Sequence, residues 1–416
     1  MSLTKMRFRH TVLSNGLTII SEINENAYSA SIGFFVRSGS RNESVSELGV
    51  SHFLEHLVFK GSESLSAVEV NCRLDELGAD GNAFTESEQT VFHITVLPEF
   101  IAGAVELFGD ILRPAFRERD FVMEKQVILE EIRMYCDQPP FGADNIARKI
   151  FFGDHPLANG ILGTEATVSQ LSVNDLRSYH AARYSPENIV LVGTGRIDFE
   201  YFCECAKKVC GKWEASTACK HNNIGDQRYR VRGNSGFHKL TKKTVSQQYT
   251  MMLYDSPSSL DADFWAALIL SDILGDSSGS RFYWEFIDNG IADTAGMAIH
   301  EYSDNGFWAT VLASEPDEAM EVLASMQKIL VTVMQEGVTD GELERAKNKA
   351  LSRIVIGSEG SDGRLFPIGS EWLLSGKYVT LQQEADSIRN LTTTDIKNVL
   401  KKYPLNNPLI MTIGPE

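Results

Sequence analysis

The sequence predicts an α+β fold built as two homologous domains, each with a mainly antiparallel sheet packed with helices. Two observations support this class. Apolar strand patterns alternate with amphipathic helix patterns along the whole chain, which is typical of layered α+β architectures. The second half of the chain also repeats the pattern of the first half, and 416 residues are enough for at least two domains.

Seven apolar runs, each bounded by turn residues, are predicted to be strands. They lie at residues 17–22, 30–37, 89–97, 189–193, 247–253, 307–312 and 409–413. Helical patterns fill most of the intervals between them. This order of elements favours two sheets, each covered by helices.

A weak internal repeat relates the two halves of the chain. Near its end, each half has an amphipathic helix that a Ser- or Thr-rich segment precedes. A turn and an apolar strand follow this helix. Asp175 corresponds to Asp395 and Tyr184 to Tyr403, an offset of 219 or 220 residues. A constant offset across both elements indicates duplication of one structural unit.

We therefore predict an N-terminal domain over residues 1–213 and a related C-terminal domain over residues 237–416. Residues 214–236 between them are rich in Gly, Asn, Ser, Lys and Arg. That composition is typical of linkers and also of long surface loops. The candidate catalytic motif falls in the N-terminal domain, and the C-terminal domain has no such motif.

Composition and charge exclude several classes of protein. The net charge is −17 without a dense run of Lys and Arg, so we expect no nucleic-acid partner. No stretch approaches about 18 consecutive apolar residues, so we expect no membrane span. Six cysteines do not indicate a disulfide framework, and the N-terminal residues lack the apolar core of a secretory signal. A cytoplasmic location is therefore the expectation.

The chemistry is concentrated in a short motif, His52-x-x-Glu55-His56. On a helix, His52 and His56 lie four residues apart on one face, and two imidazoles at that spacing can bind one zinc ion. Glu55 lies beside the same face, where a carboxylate can act as general base toward a water molecule. Catalytic zinc keeps one position open for water, so one more protein ligand is required.

An acidic helix pattern downstream supplies candidates for the third ligand. Glu124 and Glu131 are seven residues apart, which places them on one helix face, whereas Glu130 points about 100° away. An exposed acidic helix face would show the same pattern. Spacing alone does not choose the third ligand among these glutamates.

These residues resemble the pitrilysin/insulinase-type (M16) zinc peptidases, and in particular the short-chain branch similar to the mitochondrial processing peptidase β subunit. The motif at residues 52–56 looks like the family's inverted zinc motif, and Glu124 and Glu131 match its Glu-x6-Glu segment. The resemblance implies that His52, His56 and Glu131 bind one Zn²⁺ ion per chain. It also implies that Glu55 is the catalytic residue that activates water and that Glu124 orients a zinc ligand.

A second segment resembles the strand on which this family binds its substrate. Asn82, Ala83, Phe84 and Thr85 follow a glycine-containing turn. The resemblance implies an edge strand that holds a peptide in extended form through main-chain hydrogen bonds. From the residues alone, a plain edge strand without this role is the alternative.

The second half of the chain matches the family less closely. Arg281 stands at the position of an arginine with which the family holds its substrate, and the alternative is a solvated or ion-paired arginine. Asp293 stands where the family has a tyrosine, with Tyr283 and Tyr302 as candidate substitutes. The substrate contact of the second half therefore departs from the family pattern.

The resemblance implies a zinc-dependent metalloendopeptidase that hydrolyses small or unfolded peptides. The substrate would lie in extended form inside a two-domain clamshell chamber. Short chains of the family pair as homodimers or with a homologous chain, so we expect a dimer of one of these kinds. Two alternatives stay open: the zinc-bearing subunit of a heterodimeric peptidase, and a non-catalytic structural or assembly homologue.

Overall fold

The computed structural model describes residues 6–215 and 228–415. Its strands are β1 (Arg7–Val12), β2 (Thr18–Ile23), β3 (Ala30–Val36), β4 (Asp80–Thr85), β5 (Thr90–Val96), β6 (Ile189–Gly195), β7 (Gly236–Thr241), β8 (Gln248–Asp255), β9 (Thr294–Glu301), β10 (Gly306–Ser314) and β11 (Leu409–Gly414). Most of the predicted linker, residues 216–227, lies outside the described residues.

The α-helices lie between the strands in the sequence. They are α1 (Val50–Val58), α2 (Ala67–Glu76), α3 (Ile101–Ile111), α4 (Glu118–Asp137), α5 (Ala143–Phe152), α6 (Glu165–Gln170), α7 (Val173–Arg183), α8 (Phe199–Cys210), α9 (Phe264–Gly275), α10 (Ala319–Glu336), α11 (Asp340–Gly357), α12 (Ser361–Ser375), α13 (Leu381–Arg389) and α14 (Thr393–Lys402). Short 3₁₀ turns and one π-helical turn at Tyr283–Ile287 complete the set.

The strands form two sheets whose topologies correspond. The first sheet has the order β1-β2-β6-β3-β5-β4, and the second has the order β7-β11-β8-β10-β9. If β1 is set aside, the two orders are the same with each strand replaced by its counterpart in the other half. The parallel pair also corresponds, since β2 pairs parallel with β6 and β7 pairs parallel with β11. The predicted α+β fold with two homologous sheets is confirmed.

The seven predicted strands are all present, as β2, β3, β5, β6, β8, β10 and β11, and the short strand expected at residues 82–85 is β4. Sequence analysis did not predict β1 and β7, and it placed no definite strand at β9. These three strands and β4 are the outermost strands of the two sheets. The missed strands are therefore edge strands.

The repeated helices α7 and α14 begin with the same local structure. The Ser172 hydroxyl accepts a hydrogen bond from the Asp175 backbone N–H, and the Thr392 hydroxyl does the same with Asp395. In both helices the aspartate carboxylate bonds back to the backbone N–H of the capping residue. These capping boxes satisfy N–H groups that the first helical turn leaves free, so the sequence repeat encodes matching helix starts.

The central strand β3 is buried along its whole length because helices cover both faces of the first sheet. Phe34 packs into the large core that contains residues of α1, α3 and α8. Its neighbour Phe35 points to the other face and packs against Leu365 and Ile368 of α12. Two opposed cores explain why β3 is a continuous apolar run rather than an alternating one.

The chain divides into two compact units. The first takes the described residues of Met1–Arg133, Asn159–Gln227 and Val355–Thr380, and the second takes those of Met134–Ala158, Arg228–Ile354 and Leu381–Glu416. Within the first unit α12 packs on β6 and β3, and within the second unit α5 packs on β11 and β8.

Helices α5 and α12 occupy equivalent places in the repeat, so each unit contains one helix from the other half of the chain. The predicted domains, residues 1–213 and 237–416, instead place α5 in the first domain and α12 in the second. In the described part of the chain, we find no helix with both the length and the apolar character needed to cross a membrane.

Candidate metal centre

The helix that carries the histidine motif, α1, has a fixed starting point. Gly49 precedes it with φ of 94°, a conformation that glycine adopts without strain. A Cβ at this position would lie 2.7 Å from the Leu162 carbonyl oxygen. The buried carboxylate of Glu43 accepts hydrogen bonds of 2.8 Å from the backbone N–H groups of Gly49 and Ser51. These contacts fix the first turn of α1, which carries His52; His56 follows one turn later.

The helices that carry the candidate ligands, α1 and α4, pack directly on each other. Phe53 of α1 stacks on Phe121 of α4, with ring centroids 4.9 Å apart and planes within 5° of parallel. His52 directly precedes Phe53 and His56 follows it in the next turn of α1, and the rings of the two histidines lie 4.6 Å apart on the same face. The spacing predicted from the sequence is therefore present, and this face points at α4.

Glu131 of α4 faces both histidines. Its Oε1 lies 3.7 Å from His52 Nε2, and its Oε2 lies 3.6 Å from His56 Nε2. One donor atom from each of the three residues lies within 4.8 Å of the others. These separations are too long for hydrogen bonds. They fit ligands around one ion, because tetrahedral zinc with bonds of about 2.1 Å separates its ligands by about 3.4 Å.

The protonation of His52 suits a metal ligand. Burial, reinforced by the neighbouring His56, lowers the pKa of His52 to about 3. The ring is therefore neutral at physiological pH, which is the form that binds metals. With a second imidazole and a carboxylate, the donor set of His52, His56 and Glu131 matches a mononuclear zinc site.

Glu124 holds the ring of His56 in position. Glu124 is buried, and its Oε2 lies 3.3 Å from His56 Nδ1. Burial on its own would lower the pKa of His56, but this hydrogen bond and the carboxylates of Glu131 and Glu55 outweigh burial and raise that pKa. A proton held on Nδ1 leaves Nε2 available toward Glu131, as expected for a carboxylate that orients a metal-binding histidine.

Glu55 lies beside the cluster and is held by the outer strand β4. The Thr85 hydroxyl donates a hydrogen bond of 2.6 Å to Glu55 Oε2. Burial raises the pKa of Glu55, and the bond from Thr85 opposes this rise. The carboxylate thus combines a fixed orientation with a raised pKa, two properties of a general base.

The predicted substrate-binding segment is part of an edge strand, as the sequence suggested. β4 pairs with β5 alone and forms the last strand of the first sheet. Asn82 Oδ1 accepts a hydrogen bond of 2.9 Å from the backbone N–H of Ala83. The Phe84 ring lies 5.6 Å from that of Phe366 in α12. The strand is placed for an added peptide, and its role in substrate binding stays a prediction.

Arg281 lies in the second unit and is ion-paired. Its Nε and Nη2 donate to the two carboxylate oxygens of Glu342 at 2.7 and 3.1 Å, and Nη2 also donates to the Gly337 carbonyl at 3.1 Å. Asp293, which replaces the expected tyrosine, accepts a hydrogen bond from Gln247. The ion-paired alternative thus describes Arg281 in this structure, and its contact with substrate stays a prediction.

Two residues of the centre were not singled out from the sequence. Lys60 Nζ lies 2.6 Å from Glu124 Oε1, and Glu43 holds the start of α1. Lys60 follows His56 by four residues, the same spacing that joins the two histidines, so this signal was available. Glu43 precedes α1 in an irregular segment rather than on a helix or strand, so residue spacing in the sequence does not predict its contact with α1.

Two family models match the chain. Residues 18–165 match the model described as insulinase (peptidase family M16). This range includes His52, His56, Glu55, Glu124 and Glu131. Residues 170–350 match the model described as the peptidase M16 inactive domain. Together these models cover most of the chain, in the same order as its two halves.

Known proteins resemble the chain over nearly its whole length. A protein of Bacillus subtilis (strain 168) named uncharacterized zinc protease YmxG is 28% identical over 407 residues, 97% of each chain. An uncharacterized zinc protease of Mycobacterium tuberculosis (strain H37Rv) is 28% identical over 412 residues, covering 98% of this chain and 93% of the relative. The crystal structure of a protease from Helicobacter pylori has a TM-score of 0.89 at 21% identity, over 99% of this chain and 100% of that one. This structural likeness supports the fold.

Proposed function

The chain belongs to the M16 (insulinase) family of peptidases, and from this premise we propose that it is a zinc-dependent metalloendopeptidase. Its substrates would be small or unfolded peptides bound in extended form. The observation that carries the proposal is the convergence of His52, His56 and Glu131 on one point, with the carboxylate of Glu55 beside them. Relatives named zinc proteases support the same activity.

The residues of the centre have distinct tasks in this reaction. When bound, zinc polarises the scissile carbonyl and lowers the pKa of water toward about 7. His52, His56 and Glu131 would hold the ion. The Thr85 hydroxyl donates its hydrogen bond to Oε2 of Glu55, so Oε1 is the oxygen that would take a proton from the attacking water. The same carboxyl group then gives that proton to the leaving amide nitrogen.

The edge strand β4 supports binding of extended peptides. An added strand would gain affinity from main-chain hydrogen bonds, which are independent of side-chain identity. Only a chain without stable structure can present a free backbone in this way. Small or unfolded peptides are therefore the proposed substrate class, with a homodimer or a heterodimer in the cytoplasm as the proposed setting.

Two related readings differ in what the isolated chain can do. As the zinc-bearing subunit of a heterodimer, the chain would bind zinc but need a homologous partner for full activity. As a structural homologue, it would not cleave peptides at all. The complete set of His52, His56, Glu131 and Glu55 favours catalysis, because a structural subunit has no need of a general base beside a metal site.

Peptide cleavage tests the proposal. Purified chain is incubated with unstructured peptides of about 10–30 residues, and mass spectrometry identifies the products. We expect internal cleavage that a metal chelator abolishes and that Glu55→Gln reduces at least about 100-fold. Glu130→Gln, the same substitution at an exposed position of α4, should leave cleavage unchanged. Absence of cleavage with stoichiometric zinc bound would favour the heterodimer subunit, and equal activity of the Glu55 variant would contradict the mechanism.

A further inference from the structure

The two ligand-bearing helices are joined by a charged contact that the mechanism above does not use. Lys60 follows the last turn of α1, and its Nζ lies 2.6 Å from Oε1 of Glu124 on α4. The other oxygen of Glu124, Oε2, faces His56 Nδ1 at 3.3 Å. Each oxygen of this carboxylate therefore has its own partner. The three side chains form a row of contacts from Lys60 through Glu124 to His56.

The backbone around Lys60 is held in place independently of this contact. Gly61 has φ of 96°, and a Cβ there would lie 2.1 Å from the Leu65 carbonyl oxygen. Arg117, which directly precedes α4, donates hydrogen bonds of 3.2 Å to the carbonyls of Lys60 and Leu65. The turn after α1 is thus tied to the start of α4, so Lys60 approaches Glu124 from a fixed position.

Burial gives the contact its importance. The side chain of Glu124 is only 6% exposed, whereas that of Lys60 is 34% exposed and has access to solvent. A buried carboxylate needs a partner for its charge, and within the described residues Lys60 is the one lysine or arginine ion-paired with Glu124. Loss of the lysine would remove the contact at Oε1 that restricts rotation of the carboxylate, and with it the direction of the bond to His56 Nδ1.

We propose that Lys60 is a positioning residue of the metal centre, which holds Glu124 so that Glu124 fixes the ring of His56 for the metal. The inference rests on the proposed zinc function but concerns metal binding rather than turnover. Groups that orient metal ligands typically change metal affinity about 10- to 100-fold when replaced. Lys60 acts one step further out than Glu124, through the same carboxylate.

Zinc affinity measured by competition with a chromophoric chelator tests this role. We expect Lys60→Met and Lys60→Gln to weaken zinc binding about 10-fold or more and to alter the visible spectrum of the Co²⁺-loaded protein. Lys60→Arg, which keeps the charge, should restore most of the affinity. The control is Lys349→Met, which removes a lysine contact of 2.9 Å with Asp276 in the second unit and should leave zinc affinity unchanged.

A double variant separates this role from a general effect on stability. If Lys60 acts through Glu124, Lys60→Met combined with Glu124→Gln should bind zinc no more weakly than Glu124→Gln alone. Full additivity, or wild-type zinc affinity and Co²⁺ spectrum in Lys60→Met, would overturn the proposal. A wild-type chain that binds zinc but cleaves no peptide would instead contradict the proposed function, since none of these readouts depends on cleavage.

Discussion

The hydroxyl of Thr85 donates a hydrogen bond of 2.6 Å to Oε2 of Glu55, so the outermost strand of the first sheet is tied to the helix that carries the histidines. Thr85 is buried, with 8% of its surface exposed, whereas Glu55 is half-buried. A peptide added along β4 would therefore lie beside the proposed general base, whose orientation that same strand sets.

Removing the Thr85 hydroxyl should slow catalysis without removing the metal. Thr85→Val keeps the shape of the side chain but leaves Glu55 Oε2 without its donor. We expect kcat to fall about 10-fold or more, because a hydrogen bond to a charged group contributes about 1.5–3 kcal/mol, while KM and zinc content change little. Steady-state kinetics on one defined peptide measures this. Thr85→Ser should retain most of kcat, and an equal loss in both variants would contradict the role.

The central strands could be predicted from the sequence, and most edge strands could not. β3, for example, is buried on both faces and is therefore a run of seven apolar or small residues. β1 alternates irregularly between exposed and half-buried positions, and β7 begins with two exposed residues. A strand paired on one side carries no strong apolar pattern, because only part of it contacts a core.

The candidate site was predictable where it depends on helical spacing. The helical spacing of four residues in α1 and of seven in α4 predicted that His52 and His56 share one face and that Glu124 and Glu131 share another. The choice of Glu131 as third ligand rested on family resemblance. Thr85 and Glu43 act on α1 from other elements, so their bonds depend on tertiary structure. The exchange of α5 and α12 between the units was unpredictable for the same reason, since helical periodicity does not say which sheet a helix covers.

A buried ion pair attaches the exchanged helix α12 to the first sheet. Arg364 donates to both oxygens of Glu22 on β2, at 2.9 and 3.0 Å, and both side chains are almost fully buried. We expect Arg364→Met to destabilise the chain by about 3–5 kcal/mol, because it removes the guanidinium that balances the charge of a buried carboxylate; the Tyr378 hydroxyl, which also donates to Glu22, is neutral. Urea unfolding measures this. The double variant with Glu22→Gln should recover much of the loss, and no recovery would show that the destabilisation has another cause.

The pair of Arg281 and Glu342 should make stability depend on pH. Burial opposes ionisation of Glu342, but Arg281 and Thr339 outweigh it and lower the pKa of Glu342 from 4.5 to about 2. A lowered pKa gives stability that is complete above about pH 4.5 and is lost as the pH falls toward 2. Solvent screening of this partly exposed pair reduces the expected contribution to about 1–2 kcal/mol.

Glu342→Gln should therefore be less stable than the wild type at pH 7 by about 1–2 kcal/mol, and the difference should vanish near pH 2. Urea unfolding at several pH values follows the difference. Glu336→Gln, at an exposed position at the end of α10, should change stability by less than about 0.5 kcal/mol at any of these values. A difference for Glu342→Gln that is independent of pH would contradict the charge-based explanation.

Zinc should stabilise the first unit, because the three proposed ligands join α1 to α4. An ion that binds only the folded chain stabilises it by about 2.7 kcal/mol at 100 times its Kd, which corresponds to a rise in Tm of about 5–10 °C for a unit of this size. Thermal unfolding with and without zinc measures the shift. Glu131→Gln should remove most of it, whereas Glu55→Gln should preserve it, because Glu55 is not among the proposed ligands. A shift that survives Glu131→Gln but is lost in Glu124→Gln would make Glu124 the third ligand, and His56 would then need another group to orient its ring.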